Sequence, residues 1–347
     1  MDLPKQLPQA VLRWYDAGHR DLPWRHDREP YHVWLSEVML QQTRVEAVKG
    51  YYERVLEALP TVEALAECPE DKLEKLWEGL GYYSRVRNLQ KAAKVIVERY
   101  SGIFPRTYEE VLALPGIGPY TAGAICSICF DLPTPAVDGN VLRLAARLTA
   151  DETPIDSSAF RQQVMEELQQ MYHQRPGDLT QALMELGATL CGPNRAAECD
   201  QCPCQSFCVA AREGIADRLP VRTPKKDKWE EALTVFLLRC GDRFALQRRP
   251  RKGLLAGLWQ LPNVPGTLET PEAVTAVETM GLSVKQICYQ SERSHIFTHI
   301  RWQMRLYCME VTQQTAGFQW LTEKEITDSA ALPTAFRQFW EHWLSQK

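Results

Sequence analysis

The chain has 347 residues, 45% of them hydrophobic and 24% charged, with a net charge of −4. That length suits two domains of ordinary size, and no apolar run reaches the roughly 18 residues of a membrane-spanning helix. The start, MDLPKQLPQAVLRWYD, lacks the basic and apolar regions of a signal peptide. Eleven cysteines, five of them within residues 191–208, favour a reduced, cytoplasmic compartment and a metal site over a disulfide framework.

A net negative charge speaks weakly against a nucleic-acid partner, but local distribution counts for more. Residues 81–106 hold six Lys or Arg against one Glu, and residues 239–252 six against one Asp. Each stretch reads as a solvated face or as a surface that tracks phosphates.

Residues 1–30, with Trp14, Tyr15, Trp24 and several arginines, end in an irregular loop, RDLPWRHDREPY. Residues 31–59 then read as one strongly helical, proline-free run. Glu37 lies within it, a turn away from Val33, Trp34 and Leu40. On composition alone it is a surface glutamate. Burial among those neighbours would instead raise its pKa by desolvation, which suits a general acid at neutral pH. Further helices are expected at 61–80 and 84–102. Between them, Gly79-Leu-Gly-Tyr-Tyr83 is a glycine turn with paired aromatics, either core residues or a wedge that enters a base stack.

Thr107 and Glu110 mark a capping box opening a short helix. Leu114-Pro-Gly-Ile-Gly-Pro119 reads as a tight turn, and Tyr120–Phe130 as a second helix. Such a hairpin offers backbone N–H groups and a helix dipole to a phosphate through Gly116 and Gly118, although an ordinary helix pair capped by glycine has the same pattern. Asp138 immediately precedes another helical run, VLRLAARL, and helices continue at 160–172 and 179–191.

Cys191, Cys199, Cys202 and Cys208 follow with the spacing C-x7-C-x2-C-x5-C, and Cys204 adds a fifth thiol. Spacing alone admits tetrahedral zinc or a 4Fe–4S cluster. Residues 218–229, RLPVRTPKKDKW, read as an interdomain linker. The periodicity then changes: 230–240 and 243–250 form a hairpin around Gly241-Asp242, with strands at 283–290 and 300–311 and helices at 271–280 and 333–344. The expected architecture is multidomain: an all-α domain over 1–217 that includes the cysteine loop 191–208, the linker, and an α+β domain over 230–347.

The motifs SEVMLQQT, GLGYYSR, LPGIGPYT and VDGN, the four cysteines and FTH together resemble the endonuclease III superfamily of DNA glycosylases. Within it the chain is most similar to the adenine DNA glycosylase (MutY) family, over essentially its full length. The resemblance implies a helix-hairpin-helix glycosylase domain with a 4Fe–4S cluster on Cys191, Cys199, Cys202 and Cys208, followed by a Nudix-like domain. The first cysteine interval is one residue longer than the family's, and Cys204 would be a bystander. The implied reaction is hydrolysis of the N-glycosidic bond of adenine paired with 8-oxoguanine or guanine, by a monomer on duplex DNA, after the base is flipped out. Glu37 would protonate the adenine, and Asp138, kept ionised at a helix N-terminus, would stabilise the cationic sugar. Tyr120 and Asn140 would support Asp138 and the sugar.

Trp24, Arg25, Leu40 and Gln181 would line the adenine pocket. Gln42, Thr43, Leu80 and the wedge Tyr82 would meet the DNA around the opposite base, which Phe297-Thr298-His299 would read. Tyr120 stands where bifunctional relatives carry a Schiff-base lysine, so the enzyme would be monofunctional. The second domain has one glutamate, Glu278, where Nudix hydrolases need a glutamate-rich run, so no pyrophosphatase activity is expected. The competing readings are a non-catalytic iron–sulfur protein that binds lesions and a bifunctional glycosylase/lyase.

Overall fold

The computed structural model describes residues 1–193, 197–224 and 227–346. Contacts divide the chain into two units, 1–68 with 87–224 and 69–86 with 225–347. This differs from the division read in the sequence, because 69–86 group with the second unit and not with the helices on either side. Lys225 and Lys226 of the linker, and residues 194–196 of the cysteine loop, lie outside the described residues.

The helices in chain order are α1 (Leu7–Ala17), α2 (Pro30–Leu40), α3 (Val45–Ala58), α4 (Val62–Glu67), α5 (Glu70–Leu76), α6 (Ser84–Tyr100), α7 (Tyr108–Leu112), α8 (Pro119–Phe130), α9 (Gly139–Thr149), α10 (Ser158–Gln169), α11 (Pro176–Ala188) and α12 (Val209–Glu213). The first unit's main core packs α1, α9, α10 and α11 through residues such as Val11, Leu144, Phe160 and Leu183. A smaller cluster of Val33, Ala124, Ile128 and Ala136 ties α2 to α8. Helix α2 is buried nearly all round, from Val33 to Met39, which is why its apolar residues show no single stripe.

The run from 31 to 59 is two helices rather than one. Helix α2 stops at Leu40, α3 restarts at Val45, and Gln42 takes a left-handed φ of 61°. No Pro or Gly marks the break. A non-glycine residue held there costs about 1–3 kcal/mol, so surrounding structure must impose it. The capping box at Thr107 is only half formed. Its hydroxyl oxygen accepts from Glu110 N at 3.3 Å, but the Glu110 carboxylate accepts from the Thr107 hydroxyl at 2.7 Å and not from the backbone N–H. In the hairpin Gly116 has φ 78°, and a Cβ there would fall 2.5 Å from Asn88 Cβ. Gly118 is extended and caps α8.

In the second unit β1 (Trp229–Cys240), β2 (Arg243–Arg248), β3 (Trp259–Gln260), β4 (Asn263–Pro265), α13 (Thr270–Thr279), β5 (Val284–Ile296), β6 (Ile300–Val311), β7 (Gln319–Thr322), α14 (Glu323–Ser329) and α15 (Thr334–Ser345) follow α5. The sheet order is β3-β2-β1-β6-β5, with β4 on β1 and β7 on β2. Strands β1 and β6 run parallel, and β1–β2 is the hairpin expected from the sequence. Residues 233–238 of β1 are buried on both faces, in place of the half-buried alternation of an exposed sheet. Val235 and Leu237 face Phe336, Phe339 and Trp340 of α15, while Phe236 and Leu238 face Ala273 and Val277 of α13.

Candidate active site

The apolar packing of α2 leaves Glu37 only 6% exposed. Burial pushes its carboxyl up to about 7, against a hydrogen bond from Tyr120 that favours the ionised form, and Asp138 adds a further upward push. The Tyr120 hydroxyl, at the start of α8, donates to Glu37 Oε2 and also approaches Met184 Sδ at 3.9 Å. The sequence reading paired Tyr120 with Asp138. The structure joins it to the other carboxylate, since the start of α8 packs against α2.

Asp138 is the N-cap of α9. Its carboxylate accepts from Asn140 N and Val141 N, both at 2.8 Å, and from Asn140 Nδ2 at 2.7 Å. Burial pushes its pKa up as well, opposed by those three donors. The two carboxyls therefore do not move in opposite directions, as expected from the helix terminus alone. They share a desolvation cost and differ in their donors, three at Asp138 against one among the described residues at Glu37.

Asn140 is itself held by Arg143 Nη2 at 2.8 Å, while Arg143 Nε reaches Cys191 O at 2.8 Å. Gly187 lets α11 come this close, because a Cβ there would fall 2.7 Å from Asn140 Cβ. A chain of hydrogen bonds thus runs from the cysteine loop to the Asp138 carboxylate.

Glu37, Tyr120, Asp138 and Asn140 border one cleft of about 460 Å³ with Trp24, Arg25, Leu40, Gln181, Gln42 and Thr43. Its lining also includes residues that the sequence did not single out. Arg161, at the wall, donates to Val137 O at 2.8 Å. Arg20 and Arg25 both bind Glu185, whose side chain is 1% exposed. Burial alone would raise the Glu185 carboxyl, but the bond from Arg20 and the charge of Arg25 hold it below the usual carboxylate range. A signal was present, since Glu185 sits one turn past Gln181 in the apolar run LTQALMELGA, as Glu37 sits in α2.

In the second unit the candidate opposite-base residues form a separate group. Tyr82 is 52% exposed and takes a φ of 47°. Its hydroxyl lies 3.0 Å from that of Thr298. Thr298 and His299 are exposed at the β5–β6 turn, and Phe297 packs edge-on against Trp302. Leu80, expected beside them, is buried at 7% exposure.

Cys191, Cys199, Cys202, Cys204 and Cys208 all line one small cavity of about 20 Å³ beneath α9. Arg147 Nη1 donates to Cys191 Sγ at 3.2 Å, and the Cys208 thiol approaches Arg147 O at 3.3 Å. Among the described residues no group of three or more His, Cys, Asp or Glu is arranged to hold a metal ion. Thiols ringing a common cavity, with a guanidinium to offset thiolate charge, are a donor set suited to a cluster.

Residues 35–170 match the HhH-GPD superfamily of base excision DNA repair proteins, and residues 234–342 the NUDIX domain. The helical part is similar in fold to a thermostable thymine-DNA glycosylase, at 24% identity and TM-score 0.54, covering 60% of this chain and 96% of that one. It is similar also to endonuclease III trapped covalently on DNA, at 24% and 0.52, covering 61% and 99%. No helix among the described residues is long and apolar enough to cross a membrane. Adenine DNA glycosylase of Rattus norvegicus is 36% identical over 96% of this chain and 77% of its own length. That of Homo sapiens is 35% identical over 97% and 74%, and that of Buchnera aphidicola subsp. Baizongia pistaciae 31% over 84% and 82%. On these likenesses the chain belongs to the adenine DNA glycosylase family.

Proposed function

We propose that this protein is a monofunctional hydrolase of base excision repair that releases adenine paired with 8-oxoguanine or guanine in duplex DNA. One observation carries the reading: a buried Glu37 with a pKa near 7 shares a cleft with the capped carboxylate Asp138. A purine leaves a sugar slowly unless the ring is protonated and the developing positive charge on the sugar is stabilised. Glu37, protonated near neutral pH, donates to the flipped adenine. Asp138, with three donors fixing its charged form, faces the sugar cation, and Asn140 holds Asp138 in register. Trp24, Arg25, Leu40 and Gln181 enclose the base, and a phenol at Tyr120 cannot form the Schiff base that leads to strand cleavage.

Gln42, Thr43 and the hairpin glycines Gly116 and Gly118 meet the DNA, Tyr82 wedges the stack, and Phe297, Thr298 and His299 read the opposite base. The catalytic domain is 1–217 and the opposite-base domain 230–347, joined by the linker 218–229. Cys191, Cys199, Cys202 and Cys208 would hold a 4Fe–4S cluster, which would supply a structural cross-link among the four thiolates, with Cys204 a bystander. The protein acts as a monomer in a reducing, cytoplasmic setting.

The test is single-turnover adenine release from duplexes holding A opposite 8-oxoguanine, G or T, with wild type beside Glu37→Gln. Release from the first two only, lost in the variant, is expected. Tight binding to the mispair without base release overturns the reading and leaves a lesion-binding protein.

A further inference from the structure

Glu185 does not line the cleft; it sits behind it. Its carboxylate accepts from Arg20 Nε at 2.7 Å, Arg20 Nη2 at 2.8 Å, Arg20 N at 3.2 Å and Arg25 Nη2 at 2.8 Å. Arg25 Nη1 returns a bond to Arg20 O at 3.1 Å, and its guanidinium lies 5.7 Å from the centroid of the Tyr15 ring. The Tyr15 hydroxyl in turn donates to Gln181 Oε1 at 3.4 Å, one turn before Glu185 on α11. The ring of contacts Glu185–Arg25–Tyr15–Gln181 closes on a single helix. Arg25, 10% exposed, has its side-chain donors turned back toward Glu185 and Arg20, although the cleft it lines holds two other carboxyls.

We propose that Glu185 is a positioning residue: by holding Arg25 and Arg20 it keeps the Arg25 charge on the base-facing wall and prevents it from pairing with Glu37. This rests on the proposed role of Glu37 as the acid. The titratable and charged groups that act on that acid are Tyr120 on α8, Asp138 at α9 and Arg25 before α2; Cys129 on α8 also feels its charge, and Arg20 and Arg161 line the same cleft. Among these, the Arg25 charge already favours the ionised form of Glu37, against the pull of burial. Freed from Glu185, a nearly buried guanidinium keeps the Arg20 carbonyl and the Tyr15 ring but has the cleft carboxyls as its remaining anions. It then stabilises Glu37 as an anion and removes the proton that adenine needs.

The experiment is the pH profile of single-turnover adenine release for wild type, Glu185→Gln, Glu185→Asp and the double variant Glu185→Gln/Arg25→Gln. In wild type the rate falls as pH rises through the Glu37 midpoint. In Glu185→Gln that fall moves to lower pH by about one unit, so activity lost at neutral pH returns on acidification. In the double variant the midpoint moves back to the wild-type value or above it, since the displaced charge is gone. Glu185→Asp keeps the charge on a shorter arm, and a folded protein with a smaller downward shift is expected. An unmoved or raised midpoint in either folded single variant overturns the proposal, whatever happens to the maximal rate. So does a double variant that stays low. Absence of adenine release by wild type at every pH would refute the glycosylase reading itself, which separates the two failures.

Discussion

Tyr120→Phe tests the acid site most directly, because it removes one donor and leaves the ring in place. The Tyr120 hydroxyl donates to Glu37, which favours the ionised carboxylate against its burial. A hydrogen bond to a charged group is worth about 1.5–3 kcal/mol, and one pKa unit corresponds to about 1.4 kcal/mol. Losing this bond therefore raises the Glu37 midpoint by about one to two units, from its starting value of about 7. The sign follows from the proposed reaction: with protonated Glu37 as the active form, the alkaline fall in rate shifts to higher pH. Relative to its own maximum, the variant keeps more activity in mildly alkaline buffer than wild type does. The assay is single-turnover adenine release from a duplex with A opposite 8-oxoguanine, followed across the neutral range. An alkaline limb that stays put or moves down refutes the reasoning, because Tyr120 would then not be the donor that holds Glu37 down. Glu185→Gln moves the same limb the opposite way, so the pair brackets Glu37 from both sides.

Glu37→Gln also bears on stability. The folded carboxyl titrates near 7 against an ordinary value of 4.5. Wild type therefore loses up to about 3 kcal/mol as pH rises between those values. Gln carries no such penalty, so the variant should melt higher than wild type in mildly alkaline buffer and converge with it in acid; parallel denaturation curves at both pH values would expose a solvated Glu37. Gly187→Ala puts a methyl against Asn140. Overpacking there should cost about 1–3 kcal/mol in urea unfolding, and adenine release should slow by about tenfold or more as Asp138 loses its partner. Cys204→Ala should leave iron content and visible absorbance unchanged, while Cys202→Ala should lose both; equal losses would make Cys204 a ligand.

Periodicity made many long elements legible, namely α6, α8 to α11, the β1–β2 hairpin and the strands β5 and β6, but not α1. Glu37 was visible as a carboxylate among apolar neighbours, and Asp138 as an acid just ahead of a helix. The break between α2 and α3 left no local trace. Gln42, exposed at the cleft, takes a left-handed φ there, and tertiary context overrides a helix-compatible sequence. The membership of 69–86 in the second unit escaped for a related reason. Arg248 reaches Asp71 and Glu74, and pairings between residues so distant in sequence leave no period to read. The Glu185 network is likewise non-local, joining α11 to arginines near the N-terminus, so one helix hints at the acid but not at its partners.

Three carboxylates of the cleft region, Glu37 and Glu185 buried and Asp138 half-buried, show how one desolvation cost can serve three roles. Glu37, Asp138 and Glu185 all lose water, which by itself favours the protonated form in each. What separates them is the set of donors supplied by the fold. Glu37 has one neutral hydroxyl, too little to offset burial, so it rests near 7 and can part with a proton at neutral pH. Asp138 has two backbone N–H groups and an amide at a helix start, which oppose the rise without adding a countercharge beside the sugar. Glu185 has two full guanidiniums and stays ionised. Exchanging the donor sets would exchange the roles: a guanidinium bonded to Glu37 would leave no acid, and a lone hydroxyl at Glu185 would leave Arg25 free to become that guanidinium. On the proposed assignment, the acid at Glu37 depends first on its own burial and then on a carboxylate behind the cleft wall that keeps Arg25 occupied.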